Sequence, residues 1–314
     1  MSIGITKLPL LTVSDIILRI LDLDYIPFKY KLSLGLICKY IFRRLKSHSE
    51  FQSFYMGTNQ YKLIQNHLEN ESCLIQRFSS LKIKIRESMP TIETFKQLVN
   101  GNTRKLTISA QYSKIVCLSS RYIIHCFTYL IELHIYSVDI EAIESLEESP
   151  IPNLKTLELT LKNYGKWYIF LLKVKNSLTS LYINPKDYYI VVNPVPLIPS
   201  FYAPNLTSLL IGTSIPGLEV DVLFDTHKHQ LKSVKLPIDH LFVNNSILTL
   251  SQMNNIESLT LHSIMPSKVL KEICNLNQLR VLNLKNTSYD PCTDTIGWEK
   301  FKNTEELKLL EWGE

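Results

Sequence analysis

The stretch LKTLEL at residues 154–159 contains the pattern that decides the fold. Leu154, Leu157 and Leu159 are separated first by two polar residues and then by one. The same spacing returns in LTSLYI at 178–183 and LTSLLI at 206–211. Successive side chains of a strand point to opposite faces, so alternation of Leu with other residues buries one face and exposes the other. Each copy therefore predicts a short, half-buried strand.

Copies of this pattern continue along most of the chain at a nearly constant spacing. Successive middle positions lie 23 to 28 residues apart, and these markers are Leu81, Leu106, Leu133, Leu157, Leu181, Leu209, Val234, Leu259, Leu282 and Leu307. A constant spacing of this size is typical of a repeat protein with one supersecondary unit per repeat. For neighbouring strands to run in the same direction, the rest of each unit must return the chain to the starting side.

The segments between the strands read mainly as helices. Apolar residues at helical spacing occur in TIETFKQLVN (91–100), IEAIESLEES (140–149), EVDVLFDTHKH (219–229) and SKVLKEICNLNQL (267–279). An ordinary doubly wound α/β sheet would instead show long Val/Ile strands and glycine-rich phosphate loops, and the sequence has neither. We therefore expect an α/β solenoid with parallel strands on its concave face and helical or irregular returns.

The repeat resembles that of leucine-rich-repeat proteins, and the resemblance covers roughly residues 75–314 as about ten repeats. That family usually has Asn or Cys shortly after the last strand leucine. Here those places hold Lys162, Lys186, Ser214, Ile264 and Thr287. The resemblance is thus to the irregular, long-repeat branch of the family.

Residues 1–70 follow a different pattern and predict a small helical segment. Ser14 is a candidate N-cap for a first helix, a second apolar helix follows around residues 32–41, and a third is expected over 49–68. One interpretation is a helical cap that shields the first repeat, as the ends of solenoids require.

A second interpretation rests on the order of short motifs. Leu8-Pro9, the sequence ILRIL at 17–21 and LGLICK at 34–39 occur in the order found in an F-box, which this segment resembles. The tryptophan common after the Cys is absent. The resemblance implies that the segment docks the adaptor of a cullin-type ubiquitin ligase through Leu8, Pro9, Ile17, Ile20, Leu21, Leu34, Ile37 and Cys38. The two interpretations are compatible.

Residues with catalytic or metal-binding potential form no convincing site. The chain has no P-loop, GxGxxG, HExxH or GxSxG motif, and its six cysteines have no C-x-x-C spacing. His227 and His229, two residues apart, diverge on a strand or a helix, so we expect surface residues in a return segment. We therefore expect no cofactor, no metal site and no enzymatic activity.

Charge and hydropathy exclude further classes. Residues 1–50 contain 8 Lys/Arg and 4 Asp/Glu, which accounts for +4 of the net charge of +5, so the repeats are nearly neutral. A nucleic-acid binder usually carries a basic stripe along its main surface. The sequence also lacks an uninterrupted apolar run of about 18 residues and a recognisable signal peptide. We expect a monomeric protein of the cytoplasm or nucleus.

The outward residues of the strands are the candidate binding surface. The central position of successive copies holds Thr107, His134, Glu158, Tyr182, Leu210, Lys235, Thr260, Asn283 and Lys308. This mixture suits a protein ligand that the repeats would recruit as a substrate. The stretch YYIVVNPVPLIPSFYAPNL at 188–206, with four prolines, is either a loop of that site or an irregular return segment. The alternative function is a stand-alone interaction scaffold whose N-terminus only caps the solenoid.

Overall fold

The structure is a computed structural model of the 314-residue chain. It describes residues 9–21, 30, 39–46, 53–57, 79–85, 91–99, 101–110, 117–118, 127–136, 139–140, 151–161, 167–185, 201–212, 220–237, 252–262, 273–285 and 306–310. All structural statements below concern these residues.

Eleven strands form one sheet in which every described pair is parallel. In chain order the strands are β1 Ser53–Gly57, β2 Ser80–Ile85, β3 Lys105–Ala110, β4 Cys117–Leu118, β5 Glu132–Tyr136, β6 Asp139–Ile140, β7 Thr156–Leu161, β8 Ser180–Pro185, β9 Ser208–Ile211, β10 Ser233–Pro237, β11 Ser258–His262, β12 Val281–Lys285 and β13 Glu306–Leu310. The short strands β4 and β6 pair separately. The other eleven lie side by side in chain order, which is the arrangement of a parallel solenoid.

The register of the large sheet confirms the strand positions predicted from the repeat. Leu81 pairs with Leu106, Leu106 with Leu133, and the same relation continues through all ten markers to Leu307. Because each marker pairs with the marker of the next strand, all ten lie in one column across the sheet. The alternation of buried and outward residues therefore stays in phase from β2 to β12.

The first strand corrects one expectation. Residues 53–57 form β1, whereas the sequence predicted a helix over 49–68. Phe54 pairs with Leu81 and Met56 with Ile83, so these two residues stand where later repeats have aliphatic ones. The strand is stabilised by pairing with β2, a contact that local helical periodicity cannot reveal. The sheet thus begins within the range 1–70 that the sequence assigned to a helical segment.

Five helices are described: α1 Leu10–Leu21, α2 Lys39–Lys46, α3 Ile92–Leu98, α4 Trp167–Val174 and α5 Val220–His227, with a short 3-10 helix at Phe127–Tyr129. Helices α3 and α5 confirm the predicted return helices at 91–100 and 219–229. Of the predicted return helix at 140–149, Ile140 lies in β6, and residues 141–149 lie outside the described residues. The predicted helix at 267–279 is wrong in its second half, because residues 274–279 form turns and irregular backbone after the helical Ile273, and residues 267–272 lie outside the described residues.

The core lies between the sheet and these return segments. The nine markers from Leu81 to Leu282 are fully buried. Phe95 of α3 and Phe224 of α5 are the largest fully buried side chains and belong to the same apolar cluster. Burial of a side chain of this size contributes about 1.5–3 kcal/mol to stability. Stacked repeats thus share one continuous core, which no single repeat could form alone.

Each strand begins with a regular backbone contact to the preceding repeat. The carbonyl oxygen of Arg104 accepts hydrogen bonds from the backbone N–H groups of both Ile131 and Glu132, at 2.7 and 2.9 Å. Equivalent paired contacts recur at the start of β3 and of every strand from β7 to β12. The contact fixes the entry point of each strand and hence the register.

Polar side chains in the turn before each strand form a second ladder. Each donates to a backbone carbonyl oxygen of the preceding repeat: Asn153 to Thr128, Ser177 to Ile151, Asn205 to Asn176, Gln230 to Ala203 and Asn255 to His229, at 2.5–3.2 Å. All five donors lie four residues before a marker. The Asn or Cys that leucine-rich repeats usually have after each strand is largely missing from this sequence. The five donors lie before the strand instead, where they satisfy the backbone carbonyl groups of the turns.

The first two helices contact each other. Helix α1 begins at Leu10, directly after Pro9, so Ser14 lies within the helix and is not its N-cap. The backbone N–H of Val13 donates to the carbonyl oxygen of Pro9 at 3.1 Å. Proline favours a helix start because its ring fixes φ and its missing N–H has no partner there.

Candidate protein-binding face of the sheet

The outward face of the large sheet brings the predicted binding residues into one column. The register pairs each with the next in the series His134, Glu158, Tyr182, Leu210, Lys235, Thr260, Asn283 and Lys308. The side chains from His134 to Asn283 are half-buried, whereas the aliphatic residues beside them in each strand are fully buried. The alternation of the pattern thus places these side chains on the face opposite the core.

The strongest side-chain contacts of this face lie on β5, β7 and β8. His134 Nδ1 donates to Glu158 Oε2 across a separation of 2.5 Å. Nε2 of the same ring lies 3.4 Å from Glu132 Oε2. The hydroxyl of Tyr136 lies 3.5 Å from His134 Nδ1 and also hydrogen-bonds Glu158. We call His134, Tyr136, Glu158 and Tyr182 the Glu158 cluster.

The two carboxylates of this region have different partners. Lys105 Nζ forms a 2.7 Å ion pair with Glu132 Oε2 on the neighbouring strand. The hydrogen bond from Lys105 lowers the pKa of Glu132, against the opposing effect of burial, and His134 lowers it further. Glu158 has no Lys or Arg partner among the described residues. Its contacts are the imidazole and the phenol of the cluster.

Both tyrosines of the cluster are held in their neutral form. Burial raises the pKa of Tyr136, and its hydrogen bond to the Glu158 carboxylate raises it further. Burial and the charge of Glu158 also raise the pKa of Tyr182, although a hydrogen bond with Asn184 acts in the opposite direction. At neutral pH the phenols therefore remain donors beside an acceptor carboxylate.

A close approach on β9 completes the edge of the cluster. The side chain of Asn184 lies over Gly212, so a Cβ at position 212 would collide with the Asn184 side chain. The backbone N–H of Gly212 donates to the carbonyl oxygen of Ile183 at 2.8 Å, which holds the two strands together there. Gly212 therefore provides the space in which Asn184 reaches Tyr182.

Beyond the cluster the face becomes less charged and more mixed. Leu210 and Lys235 are half-buried neighbours on β9 and β10, followed by Thr260 and Asn283. Within the described part of the chain, Oδ1 of Asn283 is buried without a hydrogen-bond partner. The sequence predicted these positions from the strand pattern, but the contacts that distinguish the Glu158 cluster from the rest appear only in three dimensions.

Of the eight predicted adaptor-binding residues, four are described in the structure. Pro9 is exposed, Ile20 is half-buried, Leu21 is the last residue of α1, and Ile17 is 4% exposed. The remaining predicted residues Leu8, Leu34, Ile37 and Cys38 lie outside the described residues.

Two further apolar side chains of α1 are exposed and were not among the predicted residues. Leu11 is 61% exposed and Ile16 is 46% exposed. For Leu11, the signal that could have found it is the helical start at Leu10, since the Ser14 cap left Leu11 outside the predicted helix. Ile16 lies within the helix that the sequence predicted.

His227 corrects the expectation that both histidines of the sequence HKH lie at the surface. His229 is exposed, but His227 is only 1% exposed. It ends α5 four residues after the buried Leu223 and therefore lies on the same helical face. Nδ1 donates to the Leu223 carbonyl oxygen at 2.8 Å, and Nε2 accepts from the backbone N–H of Ala203 at 3.1 Å.

The surroundings of His227 explain its neutral state. Its ring stacks on the ring of Tyr202 with a centroid separation of 5.7 Å and an interplanar angle of 24°. Burial lowers the pKa of His227, because a charged imidazole would lose its hydration there. Residues 201–206, the described end of the Pro-rich stretch, have irregular backbone, with Phe201 and Ala203 buried.

Three further observations bear on chemistry and relatives. Among the described residues, no group of three or more His, Cys, Asp or Glu side chains could hold a metal ion. No helix in this part of the chain is long and apolar enough to cross a membrane. No protein-family model and no curated protein matches the sequence.

Proposed function

We propose that this chain is a non-catalytic recognition protein: its solenoid is of the leucine-rich-repeat type and binds a protein on the outward face of the sheet. The observation that carries the proposal is the unbroken register of eleven parallel strands. It turns a set of short, variable segments into one continuous surface.

The size of this face favours a protein over a small molecule. With a strand separation of about 4.8 Å, eleven strands extend over roughly 48 Å, and three outward residues per strand span roughly 13 Å. The product is roughly 600 Å², which approaches the ~800 Å² that each partner buries in a standard protein complex. A small-molecule site would instead be a deep and mainly apolar cavity.

The composition of the face supports the same proposal. Tyrosines are enriched at protein interfaces, where a rigid apolar ring is combined with a polar hydroxyl. The Glu158 cluster supplies two of them in the middle of the sheet, beside a carboxylate and an imidazole. The mixture of charges along the column does not suit a polyanion such as a nucleic acid.

We further propose that the N-terminal segment joins the protein to a cullin-type ubiquitin ligase by docking its adaptor. In support, Ile17 of α1 and Ile41 of α2 are buried where the two helices contact each other, while Pro9, Leu11 and Ile16 are exposed. Exposed apolar side chains on a packed helix pair are a plausible docking surface. The protein would supply recognition, and the chemistry would be done by other subunits.

The alternative is a stand-alone scaffold in which the same helices only cap the solenoid. Adaptor retention separates the two functions. Affinity-tagged full-length protein should retain purified adaptor and cullin, and a deletion lacking residues 1–46 should not.

The double variant Leu11→Asp/Ile16→Asp tests the exposed side of α1 without removing the segment. We expect it to lose adaptor binding, while Glu158→Gln retains it because that change lies on the sheet. If the intact chain retains neither adaptor nor cullin, the ligase proposal fails and the scaffold function is preferred.

A further inference from the structure

The geometry of the Glu158 cluster points to an occupant: we propose that it is the subsite for an arginine side chain of the bound protein. The inference rests on the proposed function, because it specifies what the outward face recognises. It makes the central contact of that interface a charge-assisted hydrogen bond from a guanidinium to Glu158.

The first argument is shape. On β7, the outward neighbours of Glu158 are Thr156 and Thr160. Thr160 is shorter than the side chains opposite it, Tyr136 on β5 and Asn184 on β8. Register places His134 on one side of Glu158 and Tyr182 on the other. Outward side chains directly opposite each other lie about 5 Å apart, so larger side chains flank Thr160 on both sides and leave room beside Glu158.

The second argument is charge. The neighbouring carboxylate Glu132 is neutralised by its ion pair with Lys105. Among the described residues, Glu158 lacks a Lys or Arg partner and is only 21% exposed in its side chain. Its neighbours are the His134 imidazole and two phenols. A half-buried carboxylate without a permanently charged partner attracts a cation, because its charge is weakly screened there.

The third argument is hydrogen-bonding capacity. An ionised carboxylate offers about four acceptor positions. His134 and Tyr136 each occupy one on Glu158, which leaves roughly two for a further donor. A guanidinium can donate two parallel hydrogen bonds to such a group, whereas an ammonium acts as a point charge.

The fourth argument is the aromatic surroundings. Cations bind favourably over the faces of tyrosine rings, and the planar guanidinium also stacks on them. The Asn184 side chain hydrogen-bonds Tyr182 and lies against Gly212, which restrains that ring. An anionic side chain would be repelled by the Glu158 carboxylate, so we exclude an acidic occupant.

The test is a titration of the purified full-length protein with blocked tripeptides, acetyl-Gly-Arg-Gly-amide and its Lys and Glu equivalents, followed by backbone-amide NMR. We expect saturable shifts for the arginine peptide centred on residues 132–136, 156–160 and 180–184. The lysine peptide should bind several-fold more weakly, and the glutamate peptide should cause no saturable shift. Equal affinity for the Arg and Lys peptides would overturn the assignment to arginine.

Two variants connect the shifts to the cluster. Glu158→Gln keeps the size of the side chain and should weaken the arginine peptide about tenfold, the order expected for one charge-assisted contact. Glu257→Gln is the matched control. Glu257 directly precedes β11 and pairs with Lys232, which directly precedes β10, so this change should leave the affinity unchanged. Unchanged affinity in Glu158→Gln, or no saturable binding to the wild type, would overturn the proposal.

Tyr182 distinguishes a stacking role from a structural one. Tyr182→Phe keeps the ring and should retain most of the affinity, whereas Tyr182→Leu should lose several-fold. Equal affinities in these two variants contradict the stacking argument. A failed titration leaves the adaptor pull-down unaffected, and a failed pull-down leaves this titration interpretable, so the two proposals fail separately.

Discussion

Two histidines of this chain, His134 and His227, show how position in the repeat decides what a residue does. His134 lies on the outward face of the sheet, where its ring nitrogens meet the carboxylates of Glu158 and Glu132. His227 lies at the end of a return helix, where both nitrogens meet backbone groups and its ring stacks on Tyr202.

The difference teaches that a histidine bonded to other side chains on the sheet can give up these contacts to a ligand. A histidine bonded to the backbone in a return segment cannot. A ligand can donate to Glu158, or replace one of its donors His134 and Tyr136, without disturbing the fold. Truncation of His227 would leave the backbone N–H of Ala203 without its acceptor and would remove the bond from the ring to the Leu223 carbonyl oxygen. The outward cluster therefore suits recognition, and the buried histidine joins two repeats.

The largest expected effect is on stability when the two histidines are truncated. His227→Ala should lower the free energy of unfolding by about 3 kcal/mol, from the lost packing and the unpaired backbone N–H of Ala203. His134→Ala should lower it by less than about 1 kcal/mol, because its contacts are half-exposed. Urea unfolding of both variants measures the difference, and a larger loss in His134→Ala would reverse the comparison.

The next effect concerns Gly212, where the cluster approaches the backbone of β9. Gly212→Ala should destabilise the protein by about 1–2 kcal/mol, since the added Cβ collides with Asn184. In an Asn184→Ala background the same change should cost much less, because the colliding side chain is gone. Additive effects of the two substitutions in a double-mutant cycle are the outcome that contradicts this contact.

A smaller effect is the pH dependence of stability that His227 contributes. Its pKa is lowered in the folded protein, so the unfolded chain takes up a proton first as the pH falls below about 6.5. The contribution of the neutral His227 to the free energy of unfolding is therefore fully present above that pH. It declines on acidification by at most ~1.4 kcal/mol per pH unit, the limit for one proton. Thermal or urea unfolding between pH 7.5 and 5.5 should show a shallower dependence in His227→Asn than in the wild type. Equal slopes exclude His227 as the source.

The smallest effect is expected for the ion pair beside the cluster. Glu132→Gln should change stability by less than about 0.5 kcal/mol, since Lys105 and Glu132 are both substantially exposed. It should also leave adaptor retention intact. A loss above 1 kcal/mol by urea unfolding would mean that this pair belongs to the fold and not to the recognition surface.

Much of the fold was predictable because the strand pattern is local. Alternation of aliphatic and outward residues located all ten markers, from Leu81 to Leu307, and the helical spacing located α3 and α5. Strand β1 was not found, since Phe54 and Met56 occupy the aliphatic positions and only pairing with β2 reveals their role.

The candidate site was predictable as a surface but not as a cluster. The pattern placed His134, Glu158 and Tyr182 in one column, which the register confirms. It could not show that Lys105 pairs with Glu132 and that Glu158 contacts His134 instead of a Lys or Arg, because those contacts depend on side-chain reach across strands. For the same reason the burial of His227 and the turn ladder that includes Asn153 and Asn205 were missed.

The most direct test of the account is solvent access at three consecutive positions of β10. Protein binding on the sheet and the arginine subsite both require that alternate residues of each strand face outward. Val234→Cys, Lys235→Cys and Leu236→Cys are compared for the rate at which the added thiol reacts with a maleimide in the folded protein. Position 235 should react rapidly, and positions 234 and 236 only after unfolding in urea, since Val234 and Leu236 are fully buried. Rapid reaction at 234 or 236, or protection at 235, would contradict the assignment of the outward face.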